Sequence, residues 1–378
     1  MTLTSRGMAL AIASPVLVAA GFLLGYAELA LLGSAGVLAV LCAVGYASWR
    51  PRLAVERRAE PDRVTRGEAS TVTLTVANAS RLRAATLIAY DRCGVARIPV
   101  PLLRLRPGRD TEVSYPVPTR RRGVVEIGPL RVTRTDPLGL VSLARTHGGT
   151  SRVWVHPRSY PLAAVPAGIT RSLDGRFDRV PHGSITFATL REYVMGDDLR
   201  HVHWRTSARV GELMVREHLD TSLPRLVLVL DDRAESWPEQ ESFESACEAA
   251  ASVIAAAVRE DVTVTLHLVR GIAAVPASRA RDLLDRLAEA TLDNHGADLK
   301  ETANRLRQRR VGDTLVYLTG AGGVADLGLV AGLRGPYPAV VVGILGTAQA
   351  PPAVEGVLVL DAADGPEFAS AWDGVRSW

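Results

Sequence analysis

Lysine is almost absent from this chain: Lys300 is the only one among 44 basic residues in 378. The positive charge is therefore arginine charge, and acidic residues nearly balance it, leaving a formal net charge of +4. Such a bias reads more simply as a habit of the whole sequence than as an arginine-rich recognition surface. Aromatic residues make up only 5% of the chain. No basic run is interleaved with them, which excludes the usual footprint of a nucleic-acid-binding face. Cysteine is as scarce. Cys42, Cys93 and Cys247 lie far apart, forming neither a disulfide framework nor the paired spacing of a zinc site, as expected in a reducing compartment. No glycine-rich phosphate loop follows an opening strand, and no serine or cysteine stands in a recognisable nucleophile context. No cofactor and no enzymatic activity are expected.

Long hydrophobic runs are abundant, and they crowd one end. Residues 8–49 are nearly all Ala, Leu, Val, Ile and Gly. A helix needs about 20 apolar residues to cross the hydrocarbon core. Residues 8–27 and 29–49 each supply one, with a tight turn at Tyr26–Glu28. Helices are expected because each satisfies its own backbone hydrogen bonds in lipid. Arg6 precedes the first span, Arg50, Arg52, Arg57 and Arg58 follow the second, and no basic residue separates them. The positive-inside rule then predicts a multi-pass protein of the cell membrane with its soluble domains in the cytoplasm. Arg6 and Val18-Ala19-Ala20 also loosely resemble a signal peptide, but the second span argues against simple secretion.

Residues 1–50 thus read as a transmembrane helical hairpin. Beyond Pro51 the composition shifts. In residues 71–76, Val72, Leu74 and Val76 alternate with threonines, the pattern of a half-buried strand. Similar short runs at 86–90, 112–117, 124–127, 130–133 and 153–156 are separated by Gly, Pro and Asp, which predicts a β-sandwich over residues 51–160. Asp136-Pro137-Leu138-Gly139-Leu140 reads as a turn, with a peptide-docking corner as the functional alternative.

From residue 224 to 378 strands alternate with helices, as in a doubly wound α/β domain. Leu226 to Leu230 is a continuous apolar run, suited to a strand buried on both faces. It ends in Asp231-Asp232, where ligands reach such sheets. Phe243, Cys247, Ala250, Ile254 and Ala257 follow at helical spacing, with Glu244 and Glu248 off the stripe. Gly320-Ala321-Gly322-Gly323 follows a later strand and reads as a turn, with a phosphate cradle as its alternative.

Residues 161–223 connect the two domains, and within them residues 187–209 are too charged and aromatic for a passive linker. Arg191, Arg200, Arg205 and Arg209 can pair with Glu192, Asp197 and Asp198, which predicts an ordered ion-pair clasp with Tyr193 and Trp204 beside it. His201 and His203 alternate as on a strand, but two histidines fall short of a metal site.

These residues carry a resemblance. Arg191-Glu192-Tyr193, Gly196-Asp197-Asp198-Leu199-Arg200, Trp204 and Ser207-Ala208-Arg209 look like the signature of the DUF fifty-eight family. The order of parts, from apolar hairpin to final α/β domain, matches it over nearly the whole chain. That family is similar to von Willebrand factor A domains in its last part, and its members often accompany a MoxR-type AAA+ ATPase. The resemblance therefore implies a membrane-tethered partner of such an ATPase. A metal-dependent adhesion site in a von Willebrand factor A domain uses Asp-x-Ser-x-Ser after the first strand. Here the run is Asp231-Asp232-Arg233-Ala234-Glu235, so both serine positions are lost. A later Thr-Asp-Gly turn is reduced to Thr319-Gly320. Mg²⁺ needs near-octahedral oxygen ligands, so no metal is expected, and an Arg233 ion pair in its place is.

The leading expectation is a non-enzymatic adaptor or scaffold, with protein binding at Asp231, Asp232, Arg233 and Glu235. An outward-facing, metal-dependent adhesion domain is the alternative, and a hydrolase using Asp231, Asp232 and the histidines is a third.

Overall fold

The computed structural model describes residues 2–48, 53–78, 85–105, 110–166, 186–193, 202–219, 225–270, 275–276, 279–292, 298–308, 313–346 and 353–375. The chain divides into two compact units, Met1–His156 and Pro157–Trp378.

The first unit opens with β1 (Thr2–Leu3), α1 (Ser5–Leu24) and α2 (Ala27–Ser48). Both helices are long and apolar enough to cross a membrane, with a mean hydropathy of 2.1 each. Almost all of their surface is exposed, which is not how a soluble protein treats core helices. The turn between them is Gly25-Tyr26, one step earlier than the sequence suggests. Glu28 lies in the first turn of α2, where the helix dipole favours an acid. Where the helices touch, the contacts are made by small residues. A side chain at Gly33 would come within 2.7 Å of the Ser14 carbonyl and the Val18 nitrogen.

Two sheets follow. Strands β2 (Leu53–Glu60), β4 (Thr71–Asn78) and β7 (Asp110–Pro116) pair antiparallel in the order β2-β4-β7. The larger sheet contains β3 (Arg63–Thr65), β5 (Ala85–Cys93), β6 (Ala96–Leu105), β8 (Gly123–Ile127), β9 (Leu130–Thr135), β10 (Val141–His147) and β11 (Ser151–His156). Its order is β1-β10-β9-β5-β8-β11-β3, with β6 beside β5. Val72, Leu74 and Val76 do share one face, and with Tyr115 they join Ile127, Leu130, Val132 and Val153 of the larger sheet in one core.

Each strand expected here falls on an observed one, with 112–117 running one residue past the end of β7. β2 had no expectation, because its sequence LAVERRAE hides a strand behind charge. Arg57, counted above with the cations that orient the hairpin, is in fact buried. Its guanidinium grips Asp91 in a fork at 3.0 and 2.8 Å, and the Tyr115 hydroxyl donates to the same carboxylate at 2.5 Å.

In the second unit, β12 (Thr186–Glu192) and β13 (Met214–Leu219) form an antiparallel hairpin, with α3 (Trp204–Val210) between them. The rest is a sheet of β14 (Arg225–Leu230), β15 (Thr263–Leu268), β16 (Val275–Pro276), β17 (Thr314–Gly320), β18 (Ala339–Leu345) and β19 (Leu358–Ala362). Its order is β16-β15-β14-β17-β18-β19, parallel except for β16. One face packs on α4 (Gln240–Arg259), α5 (Ala280–Glu289) and α8 (Gly365–Asp373). The other packs on α6 (Leu299–Gln308) and α7 (Leu327–Ala331). Glu248, expected off the buried stripe of α4, is 8% exposed and accepts from the Tyr160 hydroxyl at 3.1 Å. Segment 157–166 packs on this unit through Leu162 and Val165, and the Ala164 carbonyl accepts from the Trp372 indole at 2.8 Å.

Candidate docking site at the strand ends

Strand β14 is buried along Leu226–Leu230 because parallel neighbours flank it and helices cover both faces. β15 lies on one side and β17 on the other, so the chain order reverses direction at β14. Such a reversal opens a crevice beyond the carboxyl ends of the strands. The first residue past β14 is Asp231.

Asp231 is completely buried, and its charge is met from every side. Oδ1 accepts from the Arg233 backbone nitrogen at 3.2 Å and from Arg233 Nε at 2.9 Å. Oδ2 accepts from Arg233 Nη2 at 2.8 Å, Ser236 Oγ at 2.7 Å, Tyr317 Oη at 2.8 Å and Thr319 Oγ1 at 2.9 Å. Burial alone pushes this carboxyl up, but Arg233, Ser236 and Tyr317 outweigh it and hold the acid below its ordinary value of 3.8. The Tyr317 hydroxyl is pushed far up by burial and by the adjacent carboxylate.

Arg233 is itself 7% exposed and also reaches Asp326 at 2.8 Å and Glu235 at 3.4 Å. The guanidinium is thus held by three carboxylates from two loops, a setting suited to its planar fork. Hydrogen bonding to Asp231 raises its pKa further. A divalent cation does not fit these residues. The oxygens nearest the first strand already accept from protein donors, and a fixed positive charge fills the space between them. Among the described residues, no group of three or more His, Cys, Asp or Glu side chains converges in a metal-binding arrangement.

The glycines of 320–323 fit a packing role. A side chain at Gly320 would collide with the Ser236 carbonyl, one at Gly322 with the Glu235 carbonyl, and one at Gly323 with Thr319 Oγ1. They let this turn lie directly on the 234–237 loop, which leaves no open phosphate cradle.

Asp232 points elsewhere. It is fully buried, its Oδ1 accepts from the Arg270 backbone nitrogen at 3.0 Å, and Arg270 Nε stands 3.4 Å from Oδ2. Burial raises its pKa, against the pull of Arg270. The four residues expected to form a docking surface therefore divide. Asp231, Asp232 and Arg233 are internal, and Glu235 alone faces solvent, with its side chain 73% exposed. Sequence reasoning missed Ser236, Tyr317, Thr319 as a donor, and Asp326. In the sequence Thr319 reads only as the remnant of a turn, and nothing in the local pattern signals that Asp326, beyond the glycines, returns to the site.

The signature segment also needs correction. Gly196, Asp197, Asp198 and Arg200, with His201, lie outside the described residues, and Arg191 is placed only as a backbone position in β12. Tyr193 donates its backbone N–H to Leu213 at 2.7 Å, closing the hairpin. Trp204, expected to pack, is 63% exposed at the start of α3, and Arg205 and Arg209 are exposed too. The buried member is Ser207, whose hydroxyl donates to the His203 carbonyl at 3.2 Å and accepts from Met214 N at 2.8 Å. His203 is no strand residue. It caps α3, its ring nitrogen accepting from Thr206 N at 3.2 Å.

Residues 189–321 match the family described as "Protein of unknown function DUF58". No curated protein matches the chain. A CARDB domain from Pyrococcus furiosus, solved in complex with di-metal ions, is similar at 17% identity over 28% of this chain and 93% of that one, with a TM-score of 0.21. A PKD domain of an M14-like peptidase from a Thermoplasmatales archaeon is similar at 13% identity over 28% and 98%, with a TM-score of 0.19. Likeness this weak fixes neither fold nor function.

Proposed function

We propose that the chain, whose residues 189–321 match the DUF58 family, is a membrane-anchored, non-catalytic adaptor that binds a protein partner at the strand ends of a von Willebrand factor A-like domain. The partner suggested by the family resemblance is a MoxR-type AAA+ ATPase. The two sheets of the first unit are read as a β-sandwich, and the apolar hairpin as a two-span anchor with the soluble units on the cytoplasmic side.

One observation carries the reading: Arg233 stands between Asp231, Asp326 and Glu235, where a metal-dependent relative would need a cation. The crevice is closed by the chain's own charge, so ligand capture through a bound metal is disfavoured. What remains accessible is the rim, where Glu235 and Glu239 are exposed. Complementary charge on a partner sets specificity and encounter rate there.

A photo-crosslinking residue at Glu239, in the full chain within its native membranes, tests this. An adduct with an AAA+ ATPase subunit is expected, together with loss of most of it in the Glu235→Arg variant. Equal adduct in that variant removes this surface. A hydrolytic activity intrinsic to the purified chain removes the adaptor reading.

A further inference from the structure

The turn at residues 136–140 does more than connect β9 to β10. Its carbonyls receive the start of the first apolar helix: Thr4 N donates to Leu140 O at 3.0 Å, and Thr4 Oγ1 donates to Gly139 O at 2.6 Å. Gly7 then lies against the Leu140 backbone so closely that no side chain fits there. Leu140 and Val141 also pack on Ala43 and Ala47, with Leu10 and Ala39 alongside. The turn is therefore wedged between the two helices. Its contact runs from Ala39 to Ala47 of α2, about 12 Å along the helix axis.

Helix length sets where this contact sits. At 20 and 22 residues, the helices span about 30 and 33 Å, which matches the ~30 Å hydrocarbon core with little to spare. The last turns of α2 cannot stand clear of the bilayer without pulling the Gly25-Tyr26 turn into it. Tyr46, near that end, has the Arg134 guanidinium 4.2 Å over its ring, a pairing suited to the headgroup level.

Non-helical backbone at that depth is tolerated only where its polar groups are satisfied within the protein. Most of this turn's backbone N–H groups meet that condition. Asp136, 4% exposed, accepts from Leu138 N at 2.9 Å and Val141 N at 2.6 Å through its carboxylate, and from Gly139 N at 3.0 Å through its carbonyl. Asp136 N donates to Val141 O at 3.2 Å, and Pro137 has no N–H to satisfy. Gly139 supplies the positive φ of 68° that closes the loop. The apolar Leu138 is left at the tip, 62% exposed.

From this geometry, and resting on the reading of the hairpin as a membrane anchor, we infer that the 136–140 turn is a membrane-inserted element. It places Leu138 among the lipid acyl chains at the headgroup boundary and seats the first unit directly on the bilayer surface. The occupant of this apolar tip is lipid, because the tip continues the surface of the helices that lipid already covers.

The test uses the full chain with Cys42→Ala, reconstituted in phosphatidylcholine–phosphatidylglycerol vesicles. A nitroxide is attached in turn at Leu138→Cys, at Leu32→Cys on the exposed face of α2, and at Val95→Cys on a fully exposed sheet turn. Collision rates are read with oxygen, which partitions into lipid, and with a water-soluble nickel chelate. The expected oxygen-to-nickel ratio at Leu138 is several-fold above that at Val95 and close to that at Leu32. A Leu138 ratio equal to that of Val95, with Leu32 still lipid-like, overturns the insertion and leaves the anchor standing. A water-like Leu32 overturns both.

Discussion

Arg233→Ala is expected to destabilise the second unit by roughly 3–5 kcal/mol, because it leaves a buried carboxylate without its cation. For a unit of this size, that corresponds to a fall in thermal midpoint of about 6–20 °C. The side chains of Arg233 and Asp231 are 9% and 0% exposed, so solvent cannot take over the lost fork. A double variant of similar volume, Asp231→Asn with Arg233→Met, should recover part of the loss, because it removes both charges and still leaves an acceptor for Ser236, Tyr317 and Thr319.

The pH dependence identifies the mechanism. In the native protein the Asp231 pKa is depressed below 3.8. Its contribution to stability is therefore present above the unfolded pKa of about 3.9 and lost as pH falls through the lower folded value. In Arg233→Ala, burial is expected to outweigh the Ser236 and Tyr317 hydroxyls that remain, so that the folded pKa rises above the unfolded one. The ionised acid then costs stability at neutral pH and less on acidification. The gap between the two proteins should narrow as pH falls from 7 towards 4, and a gap that stays constant would place the effect elsewhere than in this ion pair.

Asp91→Ala should be comparably severe in the first unit, again at roughly 3–5 kcal/mol. Arg57 comes from the smaller sheet, Asp91 from the larger, and Tyr115 from the smaller, so the trio fastens the two sheets together across their shared core. The Arg57 and Asp91 side chains are 3% and 0% exposed. Without Asp91, a buried guanidinium is left with the Gly149 carbonyl, at 2.7 Å, as an acceptor, and the Tyr115 hydroxyl loses its acceptor. Hydrogen exchange in β2, β5 and β7 reads the effect. Unchanged protection there would show that apolar contacts alone hold the sheets together.

Both sites show how far the sequence can be read. The apolar runs of the hairpin and of β14 announce themselves, because burial on all sides demands uninterrupted hydrophobicity. The alternation in β4 does the same for a half-buried face. The readings fail where charge is internal. Arg57 and Arg58 look alike in sequence, yet one lies in a core and the other, with a side chain 71% exposed, pairs with Glu56. The same blindness makes Asp231-Asp232-Arg233 look like a charged surface loop when it is a buried knot. An ion pair at Arg233 could be foreseen from the lost serines, and Arg233 does pair with Asp231. Asp326 and Tyr317 could not, because only the parallel pairing of β14 with β17 brings them to the site. Trp204 fails in the opposite sense, since an aromatic in a charged segment suggests packing and here faces solvent.

The central proposal is that the guanidinium of Arg233, between Asp231, Glu235 and Asp326, excludes a bound cation from the end of β14. Titration calorimetry of the full chain with Mg²⁺ and with Mn²⁺ tests it most directly. No binding tighter than millimolar is expected, on the order of 4 kcal/mol or less. Micromolar binding that disappears in Asp231→Ala would contradict it.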